Sequence, residues 1–141
     1  MRNPKDRASA ARTFHQTALH CIWLDPTDPL AHSLLGRYYY RVAGLSWLER
    51  TISRNLLGHK VEGSYEDSER EFMEAHALKD DWLPTGLWLA RVLLAQRRPI
   101  EEVKRWIDHS LRLEVEEPST EIEREELLEL RAKLKLDEGC Q

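Results

Sequence analysis

Two internal offsets that disagree with each other constrain this chain's fold more than any other feature. Ser68, Phe72 and Ala75 reappear as Val103, Ile107 and Ser110 at a constant 35 residues, whereas Leu35, Gly36 and Tyr39 reappear as Ala90, Arg91 and Leu94 at 55 residues. A helix pair repeated with unequal offsets requires an insertion of about 20 residues between the two helices of the earlier copy. A structureless loop of that length is uncommon inside a compact domain, so the insertion is expected to form an element of its own.

Hydrophobic periodicity supplies the elements. Leu30, Leu34, Leu35, Tyr38, Val42 and Leu45 recur mostly three and four apart, which predicts a helix over residues 29–45 capped by Asp28 with Pro29 in its first turn. Leu48, Ile52 and Leu56 carry the same spacing through the insertion, predicting a helix over residues 46–57 that stops at Gly58. Ser64 caps a helix with Tyr65, Ser68, Phe72, Ala75 and Leu78 inward. Two further helices are expected over residues 83–96 and 99–113, the first lined by Leu87, Ala90, Leu94 and Val92 or Leu93, the second by Val103, Ile107, Ser110 and Leu111. Thr120 to Glu123 reads as a capping box before a final helix packed through Leu127, Leu130 and Leu134.

These residues match the tetratricopeptide pattern, in which a Leu-Gly and a following Tyr on one helix meet small and aromatic residues on the next. Leu35-Gly36 with Tyr39 supplies the first half, and Ser68, Phe72 and Ala75 the second. The expected fold is therefore all-α: a tetratricopeptide-like α-α superhelix of about six helices with a helix inserted inside one repeat. The expected organisation is one domain over residues 1–141. It comprises a partial repeat helix at 8–27, a repeat at 28–81 containing the inserted helix 46–57, a second repeat at 83–115, and a capping helix at 119–137. The abrupt start, a second helix without its first, suggests a piece of something longer.

Composition narrows the function classes. With 41% hydrophobic and 33% charged residues and six each of Gly and Pro among 141, neither disorder nor a turn-rich β fold is favoured. Cys21 and Cys140 have no neighbouring cysteine that would suggest a redox pair or zinc knuckle, which fits a reducing, cytoplasmic setting. No apolar run approaches the roughly 20 residues of a transmembrane helix. The histidines lack ligand spacing, Cys21 lacks a phosphate-cradling loop, and there is neither a nucleophile elbow nor a P-loop. No catalytic residue, cofactor or metal is expected, and no nucleic-acid partner.

Charge is segregated along the chain. Residues 1–60 hold nine Lys/Arg and four acids, while the remainder holds twelve against twenty-one. From residue 31 to residue 60, Glu49 is the sole acid among Arg37, Arg41, Arg50, Arg54 and Lys60. Arg37 and Arg41, and likewise Arg50 and Arg54, are four apart, so each pair shares a helix face. The cluster is a candidate contact for an acidic partner; the structural alternative is that Arg50 and Arg54 pair with acids on neighbouring helices. Trp47 and Tyr38 to Tyr40 are candidate groove residues, although aromatics at helical spacing are more often core, where Trp47, Tyr39 and Phe72 are expected.

Three stretches together resemble the regulator of microtubule dynamics family: His32-Ser-Leu-Leu-Gly36-Arg-Tyr-Tyr-Tyr40, Gly44-Leu-Ser-Trp47-Leu-Glu-Arg50-Thr-Ile-Ser-Arg54-Asn-Leu-Leu57, and Tyr65-Glu-Asp-Ser-Glu-Arg-Glu-Phe72-Met-Glu-Ala75. The Trp-x-x-Arg helix is the specific part, and Ala90-Arg91 in place of a second Leu-Gly is a departure. The resemblance implies a non-enzymatic, microtubule-associated adaptor in the cytoplasm, at spindle poles or at mitochondria, acting in spindle function and chromosome segregation. Its implied partners are tubulin and microtubules. The alternatives are a phospholipid-binding or lipid-transfer module at organelle contacts and a general peptide-binding repeat scaffold.

Overall fold

In a computed structural model, residues 3–58, 61–114 and 118–139 are described. Among them the secondary structure is wholly helical: α1 (Pro4–Leu24), α2 (Pro29–Ala43), α3 (Trp47–Leu57), α4 (Tyr65–Leu78), α5 (Leu83–Ala95), α6 (Ile100–Leu111), a 3-10 turn (Pro118–Thr120) and α7 (Glu121–Gly139). The chain divides into two compact units, Met1–Leu78 and Lys79–Gln141.

In the first unit the chain chemistry sets each helix end locally. The Asp28 carboxylate accepts from the Leu30 N–H at 3.0 Å, with Pro29 in the first turn of α2. Ser64 and Asp67 cap each other reciprocally at the start of α4, the Asp67 N–H donating to Ser64 Oγ at 3.0 Å and the Ser64 N–H to the Asp67 carboxylate at 3.1 Å. The principal packing partner of α2 is α4, across the intervening α3, and α1 lies against α2. The helix pair is therefore split by the insertion, as the offsets require.

The α2–α4 seam explains its residues. A Cβ on Gly36 would stand 3.0 Å from three atoms of the Phe72 ring, and Ser68 Oγ donates to the Gly36 carbonyl at 2.7 Å. Such an approach selects small residues on one side and a ring on the other; Phe72 and Ala75 are fully buried. The core face of α2 consequently differs from the expected stripe. Ala31, Leu35 and Val42 are buried, along with His32 and Ser33, whereas Leu30 is exposed and Leu34 half-buried. Leu78, expected inward on α4, is exposed as well.

In the second unit Leu83, Leu87, Ala90, Leu93, Val103, Ile107, Leu127 and Leu134 form a continuous aliphatic core, with Leu94, Leu111 and Leu130 partly buried around it. Helix α5 packs on both α6 and α7, and it is buried almost all round, Trp88, Leu89 and Val92 included. The close approach here has moved along the helix. A Cβ on Gly86 would lie 1.6 Å from Ser110 Oγ, 2.8 Å from Ser110 Cβ and 3.0 Å from the Trp106 carbonyl. Arg91, at the position equivalent to Gly36, instead turns toward α7, where it pairs with Glu126 and stacks over Trp88 at 4.8 Å.

Candidate functional site

The inserted helix α3 is delimited by its own ends. Ser46 Oγ accepts from the Glu49 N–H at 3.2 Å, and Gly58 takes the left-handed conformation (φ 72°) while its N–H donates to the Arg54 carbonyl at 2.8 Å. What holds α3 to the unit is slight, since it packs against α1 and none of its residues is buried. Arg50, Ser53 and Leu57, half-buried together with Thr51, recur three and four apart and mark the docked face.

Arg50 is the anchor. Its guanidinium donates to the Val42 carbonyl at 3.0 Å and, more weakly, to the Leu45 carbonyl at 3.5 Å. It thus adds to the hydrogen bonding of carbonyls where α2 ends, in place of the acidic partner that its sequence setting suggested. The same bond brings the first turn of α3 beside the last turn of α2, which carries the exposed Arg41. Arg37, one turn earlier, is half-buried, and Arg54, one turn beyond Arg50, is exposed. Lys60 lies outside the described residues.

Trp47 departs from its expected place in the core, for it is 78% exposed. Helix α3 sits outside the α2–α4 pair, so its apolar spacing has no seam to fill. Leu48, Ile52 and Leu56, four apart, are likewise 60%, 43% and 40% exposed. Phe72 does occupy the core. Tyr39 is only half-buried, and Tyr38 stacks on His15 of α1 with ring centroids 4.2 Å apart and planes within 5°. Tyr40 faces Tyr65 of α4 at 5.6 Å.

Sequence reasoning left two groups unconnected to the site. Helix α1, against which α3 packs, exposes Lys5, Arg7 and Arg12 with Asp6 as the acid among them. Sequence charge alone flagged these residues but could not attach them to α3. The second group is the ridge Leu48-Ile52-Leu56, whose periodicity signalled burial.

Elsewhere, a cavity of about 370 Å³ in the second unit is lined by Leu87, Arg91, Glu126, Glu129, Leu130 and Lys133. Its two cations are balanced by two carboxylates, and Arg91 already pairs with Glu126. Among the described residues no helix is long and apolar enough to cross a membrane, and no group of three or more His, Cys, Asp or Glu could hold a metal ion.

Comparison with known proteins places this geometry. Residues 1–135 match the family described as Regulator of microtubule dynamics protein 1-3. The chain is 26% identical over 102 residues to regulator of microtubule dynamics protein 3 of Rattus norvegicus, covering 72% of this chain and 22% of that protein. It is 34% identical over 74 residues to regulator of microtubule dynamics protein 1 of Caenorhabditis elegans, covering 52% of this chain and 33% of that protein. Human regulator of microtubule dynamics protein 2 is 31% identical over 71 residues, covering 50% and 17%. The matched stretch is thus a third or less of each of these relatives. With the family matched over nearly the whole chain, including the split pair and its inserted helix, this chain belongs to the regulator of microtubule dynamics protein 1-3 family.

Proposed function

We propose that this chain is a non-enzymatic, microtubule-associated adaptor whose contact is the basic surface formed where α2 ends and α3 begins. One observation carries the site: Arg41 and Arg54 are exposed on the helices that Arg50 ties together, in a stretch where Glu49 is the sole acid. Clustered exposed arginines steer an acidic surface and hold carboxylates by charge-assisted bonds. The names of the relatives tie the family to microtubule dynamics. Spindle function and chromosome segregation, at spindle poles or on cytoplasmic microtubules, form the proposed setting.

Co-sedimentation with polymerised tubulin tests the reading. Binding is expected to weaken as salt rises and to fall in Arg41→Glu/Arg54→Glu. Arg50 is left unchanged because its loss would disturb the end of α2. Binding of the double variant equal to wild type would remove the site assignment.

A further inference from the structure

Two helices, one in each unit, turn outward a row of residues with the same spacing. On α1 the positions that meet the rest of the unit are Ala8, His15, Ala18 and Ile22, buried or half-buried. About a quarter turn round from them stand Arg12, Gln16, Leu19 and Trp23, all exposed, the Trp23 ring resting on His20 at 5.8 Å. On α7 the covered side is Leu127, Leu130 and Leu134. Nearly opposite stand Glu121, Glu125, Leu128 and Ala132, again all exposed. A constant offset of 109 residues relates the two rows. It sets Arg12 against Glu121, Gln16 against Glu125, Leu19 against Leu128 and Trp23 against Ala132. Cation thus meets carboxylate, leucine meets leucine, and the largest side chain meets the smallest. Alternate steps of four and three are the spacing at which two helices interlock along a common seam, here about 17 Å long.

Charge fixes the direction. The first half of α1 exposes Lys5, Arg7 and Arg12 beside Asp6, no acid occurs from Arg7 to Leu24, and Asp25 and Asp28 follow in the turn beyond. Helix α7 has the opposite order, with exposed Glu121, Glu125 and Glu129 first and exposed Lys133 and Lys135 last. Arg124, the cation among those acids, is turned to the Leu113 and Leu111 carbonyls at 3.5 and 3.3 Å. Laid parallel, the helices bring opposite charges together at both ends; laid antiparallel, they bring like charges together at both.

We propose that α1 of one copy of this chain packs parallel on α7 of the next, a head-to-tail contact that joins copies end to end. Both faces of the contact belong to this chain, and each carries the charge and the apolar side chains that the other requires. The contact is heterologous, so every copy keeps one α1 face and one α7 face, and copies add until a ring closes. A seam of about three turns is small beside stable interfaces, which makes the association weak and reversible. Arg41 and Arg54 lie outside it.

Sedimentation velocity of the full chain, from micromolar to submillimolar concentration, is the test. The weight-average mass is expected to rise with concentration and to fall back as salt is added. Arg12→Glu/Trp23→Glu spoils the α1 face and Leu128→Glu the α7 face; all three positions are exposed, and circular dichroism monitors folding. Each variant alone is expected to associate at least about tenfold more weakly than wild type. Mixed in equal amounts, the two are expected to form a one-to-one pair and nothing larger, because one intact α1 face and one intact α7 face remain. That pair also shows that neither variant has merely misfolded. A wild-type chain that stays monomeric throughout would overturn the proposal, as would association that persists in both variants. Loss in one variant alone would mean a helix pairing with its own copy, and loss in both without a pair in the mixture would mean a different surface; either result overturns it.

Discussion

The two units place apolar residues in opposite ways. In Lys79–Gln141, leucine, isoleucine and valine fill a core on three helices, and among the described residues of that unit only Ile122 and Leu128 remain as exposed large apolar side chains. Among the described residues of Met1–Leu78 the sole large side chain wholly enclosed is Phe72, while Phe14, Trp23, Trp47, Leu48 and Ile52 are among those facing out. The first unit compensates with directed contacts. Ser68 bonds Gly36, and His32 bonds both Glu71 and the Pro26 carbonyl, each at 2.8 Å. One device is common to both: an arginine from the next helix closes a helix end, Arg50 on Val42 and Arg124 on Leu111 at 3.3 Å. The contrast teaches that a repeat can be kept by a ring, a glycine and a few hydrogen bonds, which leaves apolar side chains facing out.

The sharpest way to break this comparison is Phe72→Ala, expected to cost about 3–5 kcal/mol and to unfold the first unit well before the second. Urea denaturation followed by amide hydrogen exchange separates the units; simultaneous loss of protection in both would contradict the prediction. Next comes Gly86→Ala, whose Cβ meets Ser110 Cβ and the Trp106 backbone. A loss of about 1–3 kcal/mol is expected in the second unit, partly recovered by adding Ser110→Gly.

His32 gives a smaller effect with a pH signature. Burial by itself lowers its pKa, but the bond to Glu71, the bond to the Pro26 carbonyl, and the charges of Glu71 and Glu74 outweigh it and raise the value above 6.5. Both ring nitrogens face acceptors, so the imidazolium is the form that satisfies them, although Arg70 also approaches Glu71 at 3.9 Å. The folded state therefore holds the proton more tightly than the unfolded one. Its contribution is complete below 6.5 and is lost as pH rises through the folded value. His32→Gln is expected to cost about 1.5 kcal/mol at mildly acidic pH and progressively less under alkaline conditions. A pH-independent gap in chemical denaturation would refute the imidazolium.

Arg50→Met is expected to cost about 1 kcal/mol and to loosen α3 selectively, seen as faster amide exchange over Trp47–Leu57. Least of all, Ile52→Ser should change stability by no more than about 0.5 kcal/mol, because its side chain already faces water. A larger loss would mean that the α3 row is core after all.

Much of this was legible in the sequence. Asp28, Ser46 and Gly58 fix helix ends through bonds reaching only two to four residues, and the unequal offsets located α3 because insertion length is a property of the chain itself. Ser68, Phe72 and Ala75 were identifiable as core because small and aromatic residues at that spacing have few other uses. Tertiary structure alone decided which way the apolar row of α3 faces. Periodicity states that a helix has an apolar side, whereas exposure depends on whether another element arrives to cover it. Among the described residues α3 meets α1 and the end of α2, through the opposite side. The same holds for Trp47 in solvent, for Arg50 on backbone carbonyls instead of acids, and for the close approach at Gly86 instead of Ala90-Arg91. Local sequence fixes what a helix offers, and the neighbours it meets in space fix what it buries.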